Sequence, residues 1–471
     1  MQFRMPRQWV FVFLLLQFIL CYFYYYIISR NAAHVGKADK DMQWFDGIRE
    51  TTTKFPKESL VNWRSLLEGK QLTADVDWTK IELKPSPKAE DMNDKWIVLT
   101  SINAPTKDVK RLAAITGWKV VIVGDKKTPQ DWSHPNCVFL GVEKQKTLGY
   151  RIHDLLPYKS YSRKNMGYLY AIQHGAKMIY ETDDDNSPTE GKITFYQKDS
   201  GKFLVYKTDS PVVNPYEHFG QSTIWPRGYP LDFISEPPAR TFVECEGVDT
   251  SVQQGVVNGD PDVDAIFRLT RKDKGVDLDV EFDGDAPPVV LPQGTFAPYN
   301  SQNTLFLHRA MWGLLLPGTV TLRVTDIWRG YWNQRLMWDV GTQLSFFGPN
   351  AYQFRNAHNY LLDFKEEKLL YYEAPGMIKF LKEWKSDKPD FFSRALDLSI
   401  AFAQQGFYGW NDAMLTEAWL TDLVSIGYKM PDINPLPRPC RKVVGDEKEL
   451  RTKEQPSSYL RAGKNLKSLV S

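Results

Sequence analysis

The chain has 471 residues, of which 42% are hydrophobic and 25% are charged, and its formal net charge is only +2. A chain of this length can bury a large core and corresponds to about three folding units. The small net charge gives no basic field for a polyanion, so we expect no nucleic-acid partner.

The first feature along the chain is an apolar segment, residues 9–28, which Arg4 and Arg7 precede. Its length is about the 20 residues that a helix needs to cross a bilayer. Trp9 and the tyrosines near its other end are typical of membrane interfaces. A cleaved signal peptide would have a shorter apolar core. We therefore interpret this segment as a transmembrane signal anchor, with residues 1–8 in the cytosol and the rest of the chain in the secretory lumen.

A polar segment of mixed charge, residues 29–92, follows the anchor and closes with the Pro-rich stretch 84–88. Composition of this kind is typical of a connecting segment. We interpret it as a stem that contains one short helix near residues 59–67.

The globular part begins with strands and helices in alternation. Three short apolar runs are predicted strands: 96–101, 118–123 and 138–140. Thr106 is predicted to cap a helix that ends near Ile115, and a second helix at 163–174 leads into the apolar run 177–182. Because strand–helix–strand alternation produces parallel sheets with crossover helices, we expect an α/β fold.

The middle and the C-terminal part follow a different pattern. Residues 193–206 are predicted to form a hairpin, and irregular Pro- and Gly-rich connections continue to about residue 300. A strand is predicted at 320–324. Three helices are predicted later in the chain: 377–384, 391–404 and 412–426. Asn411 or Asp412 can cap the last helix and Gly427 can end it, while residues after 435 are expected to lack ordered structure.

Three consecutive carboxylates, Asp183, Asp184 and Asp185, stop the fourth predicted strand. Adjacent like charges repel one another, so a fold tolerates them in open solvent or around a cation. In an extended segment Asp183 and Asp185 would project to one side, and Mn²⁺ or Mg²⁺ prefers such hard oxygen ligands. The alternative is a solvated acidic turn. Ligands of open α/β sheets bind outside the carboxyl ends of the strands, which favours the metal site.

Two further motifs are placed to contact the same ligand. Gly124 and Asp125 follow the second predicted strand, where they can contact a base or ribose, although a plain turn has the same composition. Arg163, Lys164 and Asn165 open the helix before the acidic strand. Cations at a helix N-terminus oppose its dipole and can bind phosphate, the alternative being a solvated first turn.

A third candidate stretch begins at Asp326. Asp326 is either the N-cap of a helix or a carboxylate that activates an acceptor hydroxyl. We assign Trp328 and Arg329, from the same stretch, to substrate binding. The acidic loop 258–264 does not have the register of an EF-hand, and the amide-rich loop 294–303 has groups that can hydrogen-bond a sugar.

Four cysteines are present, and one of them, Cys21, lies in the apolar N-terminal segment. The other three, Cys137, Cys245 and Cys440, allow one disulfide and one free thiol without any CxxC metal spacing. The sequence leaves their pairing open.

Together these blocks resemble the STELLO-type glycosyltransferases, Golgi membrane proteins with a GT-A-like domain. Six stretches carry the resemblance and cover most of the chain beyond the stem: 96–105, 117–132, 148–186, 254–272, 288–348 and 407–431. A fainter similarity links residues 180–186 and 326–332 to the reversibly glycosylated polypeptides, which act as UDP-sugar mutases.

The resemblance implies a single-pass type II protein of the Golgi membrane with its globular part in the lumen. It also implies a GT-A-like, mostly parallel sheet. Residues 93–362 are expected to form the nucleotide-sugar domain, and the residue pattern predicts a helical region at 363–435 and a polar tail at 436–471. The expected ligands are a nucleotide-sugar donor such as a UDP-sugar, and a glycan or glycoprotein acceptor.

The leading hypothesis is a metal-dependent glycosyltransferase in which Asp183 and Asp185 hold Mn²⁺ or Mg²⁺ across the diphosphate. Arg163 and Lys164 would assist, and Asp326 would be the base if the reaction inverts the anomeric centre. One alternative is a catalytically silent partner that scaffolds or escorts a membrane glycan synthase. The other is a nucleotide-sugar mutase.

Overall fold

A computed structural model describes residues 72–196, 200–236, 241–271, 278–354, 359–434 and 442–444. The predicted anchor at 9–28, the predicted helix near 59–67 and most of the stem lie outside these residues. Within them, no helix combines the length and the apolar character needed to cross a bilayer.

Strands from across the described part of the chain join in one sheet. They are β1 (Lys95–Thr100), β2 (Lys119–Val123), β3 (Cys137–Leu140), β4 (Met178–Thr182), β5 (Asn186–Pro188), β6 (Ser200–Tyr206), β7 (Phe242–Asp249), β8 (Val252–Gly259), β9 (Val289–Val290), β10 (Asn303–Leu307), β11 (Leu344–Gln353) and β12 (Lys442–Val444).

Helices flank the sheet and form the C-terminal region. The α-helices are α1 (Lys107–Ala113), α2 (Val142–Thr147), α3 (Lys164–Gln173), α4 (Pro215–His218), α5 (Ala265–Arg271), α6 (Leu322–Asp339), α7 (Tyr360–Glu366), α8 (Lys368–Glu383), α9 (Phe391–Gln405) and α10 (Trp410–Ser425). Short 3₁₀ helices lie at Trp78–Lys80, Ala89–Asp91, Arg151–Asp154, Tyr161–Arg163, Thr189–Gly191, Leu231–Phe233 and His308–Leu314.

The four strands of the N-terminal half are parallel and stand in the order β3-β2-β1-β4. β1 and β2 are runs of aliphatic and β-branched residues, as expected for strands covered on both faces. Helix α3 packs closely on one face, where Gly167 lies against Val98 and Val123. The predicted parallel strands and both predicted helices are therefore confirmed, and the Thr106 side chain caps α1.

Beyond β4 the sheet is mixed, and the order continues β10-β8-β11-β9-β6-β7-β12. β10 is antiparallel to β4 and to β8, whereas β11 is parallel to β8. The predicted mostly parallel central sheet is confirmed, and the antiparallel pairs all include a strand that follows β4 in the chain. The irregular connections predicted up to about residue 300 are wrong, because this region contains β7, β8 and β9. These strands pair with partners distant in the chain, which local composition does not indicate.

The predicted hairpin at 193–206 is also wrong. β6 begins at Ser200 and pairs antiparallel with β7 and parallel with β9. Phe203 and Val205 share a buried apolar cluster with Val248 of β7. An isolated two-stranded hairpin could not bury these side chains, so pairing within the large sheet is favoured.

Helix α6 occupies the segment in which we predicted a strand at 320–324. Its N-cap is Thr321, and side chains on all sides of the helix are buried, polar ones included. The strand prediction is therefore wrong. Asp326 lies inside α6 and is not its N-cap.

The three predicted C-terminal helices are confirmed as the second half of α8, α9 and α10. Gly427 follows α10 with a φ of 84°, as expected for the glycine that ends a helix. The N-cap of α10 is Gly409, however, and not Asn411 or Asp412. The Asp412 carboxylate instead accepts hydrogen bonds from the loop before α6.

The last part of the predicted stem, from residue 72 onward, packs against the C-terminal helices. Trp78 is buried, and its ring centroid lies 5.7 Å from that of Phe392 in an edge-on arrangement. Its indole Nε1–H donates to Ser393 Oγ at 3.1 Å.

The opposite end of the described chain also takes part in the fold. Residues 442–444, in the segment expected to lack ordered structure, form β12 and pair antiparallel with β7. That expectation is wrong for these residues, because backbone pairing with a strand edge needs no apolar pattern. In β7, Cys245 is disulfide-bonded, whereas Cys137 has a free thiol.

Candidate active site

The carboxyl ends of β1, β2 and β4 meet at one edge of the sheet, because these strands are parallel neighbours. A chain of hydrogen bonds joins the three ends. The Asp125 N–H donates to Thr128 Oγ1 at 2.8 Å, and the Thr128 hydroxyl donates to the Ser101 carbonyl at 2.7 Å. The Ser101 hydroxyl in turn donates to Asp184 Oδ2 at 2.5 Å. The acidic triplet therefore lies beside the ends of two other strands.

The triplet itself forms a turn after β4, so the extended geometry that we predicted for it is wrong. The turn brings the Asn186 N–H to 3.5 Å from the Asp183 carbonyl oxygen. The strand ends at Thr182 because β10 pairs with β4 only as far as Asn303, opposite that residue.

Each carboxylate of the triplet contacts a different element. Asp183 Oδ1 lies 3.1 Å from Lys164 Nζ at the start of α3. Asp184 Oδ2 accepts from the segment after β1, and Asp185 Oδ2 accepts from Gln353 Nε2 of β11 at 3.3 Å. These contacts hold the three carboxylates next to one another, and each of the three residues stays partly exposed to solvent.

Asp183 is the member of the triplet that Lys164 neutralises. Desolvation raises the pKa of the Asp183 carboxyl above its ordinary value, and the charge of Lys164 opposes that rise. The side chain is still 42% exposed. A ligand can therefore reach Asp183 from solvent.

The other two residues of the predicted phosphate-binding turn point into the protein. Arg163 is 1% exposed and donates through Nε and Nη2 to Gln145 Oε1 at 2.8 and 2.6 Å. Burial lowers the pKa of its guanidinium below the usual range. Asn165 exchanges hydrogen bonds with the backbone of Leu316. Both side chains support the loops beside the site.

The Gly124–Asp125 turn lies at the end of β2, where the sequence placed it. Gln145 Nε2 donates to the Gly124 carbonyl at 2.8 Å, so Arg163 supports this turn through Gln145. The Asp125 carboxylate accepts from the N–H of Lys126 at 2.6 Å and from that of Ser160 at 3.2 Å. Asp125 is partly exposed at the sheet edge.

Asp326 is held in a buried charge cluster. Arg227 forms two hydrogen bonds to Asp326, both at 3.0 Å, and two to Asp262, at 2.9 and 2.8 Å. The Ser301 N–H also donates to Asp326 Oδ2 at 3.3 Å. Asp326 is 4% exposed, so in this conformation its carboxylate is engaged by Arg227 and is not open to solvent.

Trp328 and Arg329 of the same helix are buried in the core. Trp328 donates its indole N–H to the Phe407 carbonyl at 2.9 Å. Arg329 pairs with Glu181 of β4 at 2.7 Å, and both side chains are fully buried. Burial alone would lower the pKa of the guanidinium, but the charge of Glu181 raises it. The pair joins α6 to the strand that carries the triplet.

The amide-rich segment before β10 forms the wall opposite the triplet. Gln302 Nε2 donates to Asn186 Oδ1 at 3.1 Å and to Gln353 Oε1 at 2.5 Å. Asn300 Nδ2 donates to Asp262 Oδ2 at 2.8 Å. This network connects the triplet to the acidic loop 258–264.

Sequence reasoning missed four residues that shape the site: Ser101, Thr128, Arg227 and Gln353. Ser101 is the last residue of a predicted strand, so its position at the sheet edge could have been inferred from the sequence. Arg227 and Gln353 have no such signal, because each contacts the site from a distant part of the chain.

The donor set at the triplet suits a hard cation. Within the described ranges, no three carboxylate, imidazole or thiolate groups converge into a ready metal cage. Mn²⁺ and Mg²⁺ do not require one, because they are often bound by one or two carboxylates together with substrate phosphates. The exposed oxygens of the triplet fit that type of binding.

Comparison with known proteins places this site in context. The family model of the STELLO glycosyltransferases matches residues 323–436. The protein named "Probable glycosyltransferase STELLO1" from Arabidopsis thaliana is 41% identical over 403 residues, which cover 82% of this chain and 52% of the relative. "Probable glycosyltransferase STELLO2" from the same plant is 40% identical over the same lengths.

The resemblance inferred from the sequence is thereby confirmed. The region that matches the STELLO family model begins within α6, so it includes Asp326, Trp328 and Arg329, whereas the acidic triplet precedes it. The chain spans about half the length of the curated STELLO relatives that it matches.

Proposed function

We propose that this protein transfers a sugar from a nucleoside diphosphate donor in a metal-dependent reaction. The observation that carries this proposal is the convergence of three parallel strand ends on the exposed acidic triplet. Ligands of α/β sheets bind at such an edge. The similarity to proteins named as glycosyltransferases supports the same reaction class.

The residues at this edge of the sheet have different proposed roles. Asp183 and Asp185 would hold Mn²⁺ or Mg²⁺, which neutralises the charge that develops on a leaving diphosphate. Asp125, which hydrogen bonds hold at the end of β2, would face the base and ribose. A UDP-sugar is the donor that the family resemblance favours, with a glycan or glycoprotein as acceptor.

Asp326 is the proposed base for an inverting reaction. It can accept a proton from a hydroxyl only after one of its bonds to Arg227 is released. The short path from Asp326 through Ser301 to Lys164 and Asp183 supports a location beside the donor site.

The proposed cellular setting is the Golgi lumen. The apolar segment 9–28 would anchor the chain as a single-pass type II membrane protein, with the acidic triplet on the lumenal side. A lumenal location would expose the site to nucleotide sugars and to glycan acceptors.

Isothermal titration of a UDP-sugar in the presence of Mn²⁺ tests the metal site. The double variant Asp183→Ala, Asp185→Ala should lose metal-dependent binding while its circular dichroism spectrum stays unchanged. Asp94→Ala is the matched control, because Asp94 is an exposed carboxylate at the opposite end of the same strand pair. Binding heats in the double variant equal to those of the wild type would contradict the proposal.

A thermal-shift screen of nucleotide sugars with and without Mn²⁺ would identify the donor. A ligand that binds only the native state raises the apparent stability by about 2.7 kcal/mol at one hundred times its dissociation constant. The donor should raise the melting temperature more in the presence of the metal than in its absence.

A second function is favoured by the engagement of Asp326. Because Arg227 occupies both of its oxygens, a silent partner that scaffolds or escorts a membrane glycan synthase is the alternative. In cells that lack the protein, full rescue by the double triplet variant would favour this alternative. Loss of rescue would favour catalysis.

A further inference from the structure

The Lys164 ammonium lies at the centre of the site, where β4 and β10 stop pairing. It donates to the Thr182 carbonyl at 2.9 Å, to Asp183 Oδ1 at 3.1 Å and to the Ser301 carbonyl at 3.2 Å. A lysine ammonium has three donors. The protein therefore uses every hydrogen-bond donor of this side chain.

The accessibility of Lys164 agrees with this donor count. Its side chain is 0% exposed, whereas that of its partner Asp183 is 42% exposed. A phosphate could not contact the ammonium unless Lys164 first left Asp183 and both carbonyls. The predicted role of Lys164 as a phosphate ligand would thus leave two backbone carbonyls and a carboxylate without their partner, which is costly in a desolvated place.

One carbonyl belongs to Thr182 at the end of β4, and the other belongs to Ser301 in the segment just before β10. Asn303 pairs with Thr182 at the last rung of the β10–β4 ladder, and Ser301 lies just beyond that rung. Beyond this last pair, the Lys164 ammonium bridges the two segments by donating to one backbone carbonyl of each. It thereby fixes the end of β4, from which the triplet projects, relative to the segment before β10.

The same segment reaches the buried charge cluster. The Ser301 N–H donates to Asp326 Oδ2, and Asp326 is bound by Arg227. Lys164 therefore connects the exposed carboxylate of Asp183 with the buried carboxylate of Asp326 through one intervening residue.

We propose that Lys164 is a positioning residue, which sets the spacing between Asp183 and the Ser301 segment and does not bind the ligand itself. A ligand that enters the site would meet the exposed part of Asp183. The Lys164 ammonium would remain buried, on the side of Asp183 that faces away from the ligand.

Hydrogen–deuterium exchange of the full ligand-free chain tests the positioning role without reference to the proposed function. Lys164→Met should accelerate exchange of the amides at 182–186 and 300–304 by about tenfold or more, because bonds to a charged group are lost. Lys177→Met is the matched control: Lys177 precedes β4 at its other end, is 67% exposed and pairs with Asp94. Wild-type exchange rates at both segments in Lys164→Met would overturn the inference.

A second measurement separates positioning from phosphate binding, and this one rests on the proposed function. UDP is titrated into wild type, Lys164→Met and Lys164→Arg, with and without Mn²⁺. For a positioning residue both variants should keep the metal-free UDP affinity of the wild type and lose the enhancement by Mn²⁺. Arginine should not rescue, because its planar fork cannot reproduce three bonds from one nitrogen.

The opposite outcome identifies a phosphate ligand. Lys164→Met would then lose metal-free UDP affinity and Lys164→Arg would restore it, since arginine binds phosphate well, and the inference would be overturned. If the wild type binds no UDP under either condition, the proposed function fails, and the exchange rates alone decide the role of Lys164.

Discussion

Single buried carboxylates join distant parts of this protein, and Asp412 is the clearest case. Its carboxylate accepts hydrogen bonds from the N–H groups of Gly318 at 2.6 Å and Thr319 at 3.0 Å, and from the Thr319 hydroxyl. Burial raises the pKa of Asp412 to about 6, although these three hydrogen bonds lower it. One side chain therefore fastens α10 to the loop before α6.

This raised pKa predicts a pH-dependent stability. The folded state binds the Asp412 proton more tightly than the unfolded state, in which the carboxyl has the ordinary aspartate pKa of 3.8. The contribution of Asp412 protonation to the unfolding free energy is therefore largest below pH 3.8, and it is lost as the pH rises through about 6. Between about pH 4 and pH 7 the unfolding free energy of the wild type should fall by about 2–3 kcal/mol relative to Asp412→Asn.

Urea denaturation of both proteins across this pH range measures the difference. The asparagine variant loses one acceptor oxygen at every pH, which shifts its curve without changing the slope. Parallel stability curves for the two proteins would contradict a perturbed Asp412.

At the scale of elements, the distance between α3 and the sheet decides where Lys164 can lie. Gly167 is in the second turn of α3, and an added Cβ would lie 2.7 Å from Val98 Cγ1 and from Val123 Cγ2. Real Cβ atoms do not approach other atoms so closely. The glycine therefore permits the helix to pack directly on β1 and β2.

Gly167→Ala should lower the unfolding free energy by about 1–3 kcal/mol, because a methyl group overpacks a dense interface. The control is Gly376→Ala within α8, where no atom lies within 4 Å of the added Cβ. That change should raise stability by about 0.5–1 kcal/mol, as alanine favours helices. Chemical denaturation of both variants checks the pair, and similar effects of the two substitutions would refute the packing argument.

Local sequence signals predicted the elements that depend on local contacts. The apolar runs of β1, β2 and β4 and the N-cap of α1 were predicted from their own residues. In contrast, Asp326 and Arg227 are 99 positions apart, so their pairing could not be inferred from either motif. The position of β10 beside β4 was likewise hidden, because an antiparallel partner that enters from a later segment has no short-range signature. The edge of the site was thus predictable, whereas its opposite wall was not.

At the scale of the whole molecule, the segment before β1 is part of the globular body. Trp78 is 6% exposed and lies in the same apolar cluster as Trp312 and Phe391. Its contacts with α9 connect the end of the predicted stem to the C-terminal helices. The C-terminal helices therefore contact residues on the stem side of the boundary predicted at residue 92.

Trp78→Ala in the full chain should lower the unfolding free energy by about 3–5 kcal/mol, because it leaves a large cavity. Trp410→Ala is the control, since Trp410 is 44% exposed at the start of α10. Its loss should cost about 0.5 kcal/mol or less. Equal melting temperatures for the two variants would show that the stem contact contributes nothing.

The antiparallel pair of β12 with β7 has a consequence for how the protein behaves at high concentration. β7 is eight residues long, and β12 covers three of its positions, Phe242, Val243 and Glu244, on the side away from β6. An uncovered strand of this kind offers free N–H and C=O groups to neighbouring molecules. A chain that stopped before Lys442 would expose this edge of β7. We expect such chains to associate by pairing strands with this edge, even if the acidic triplet remained intact.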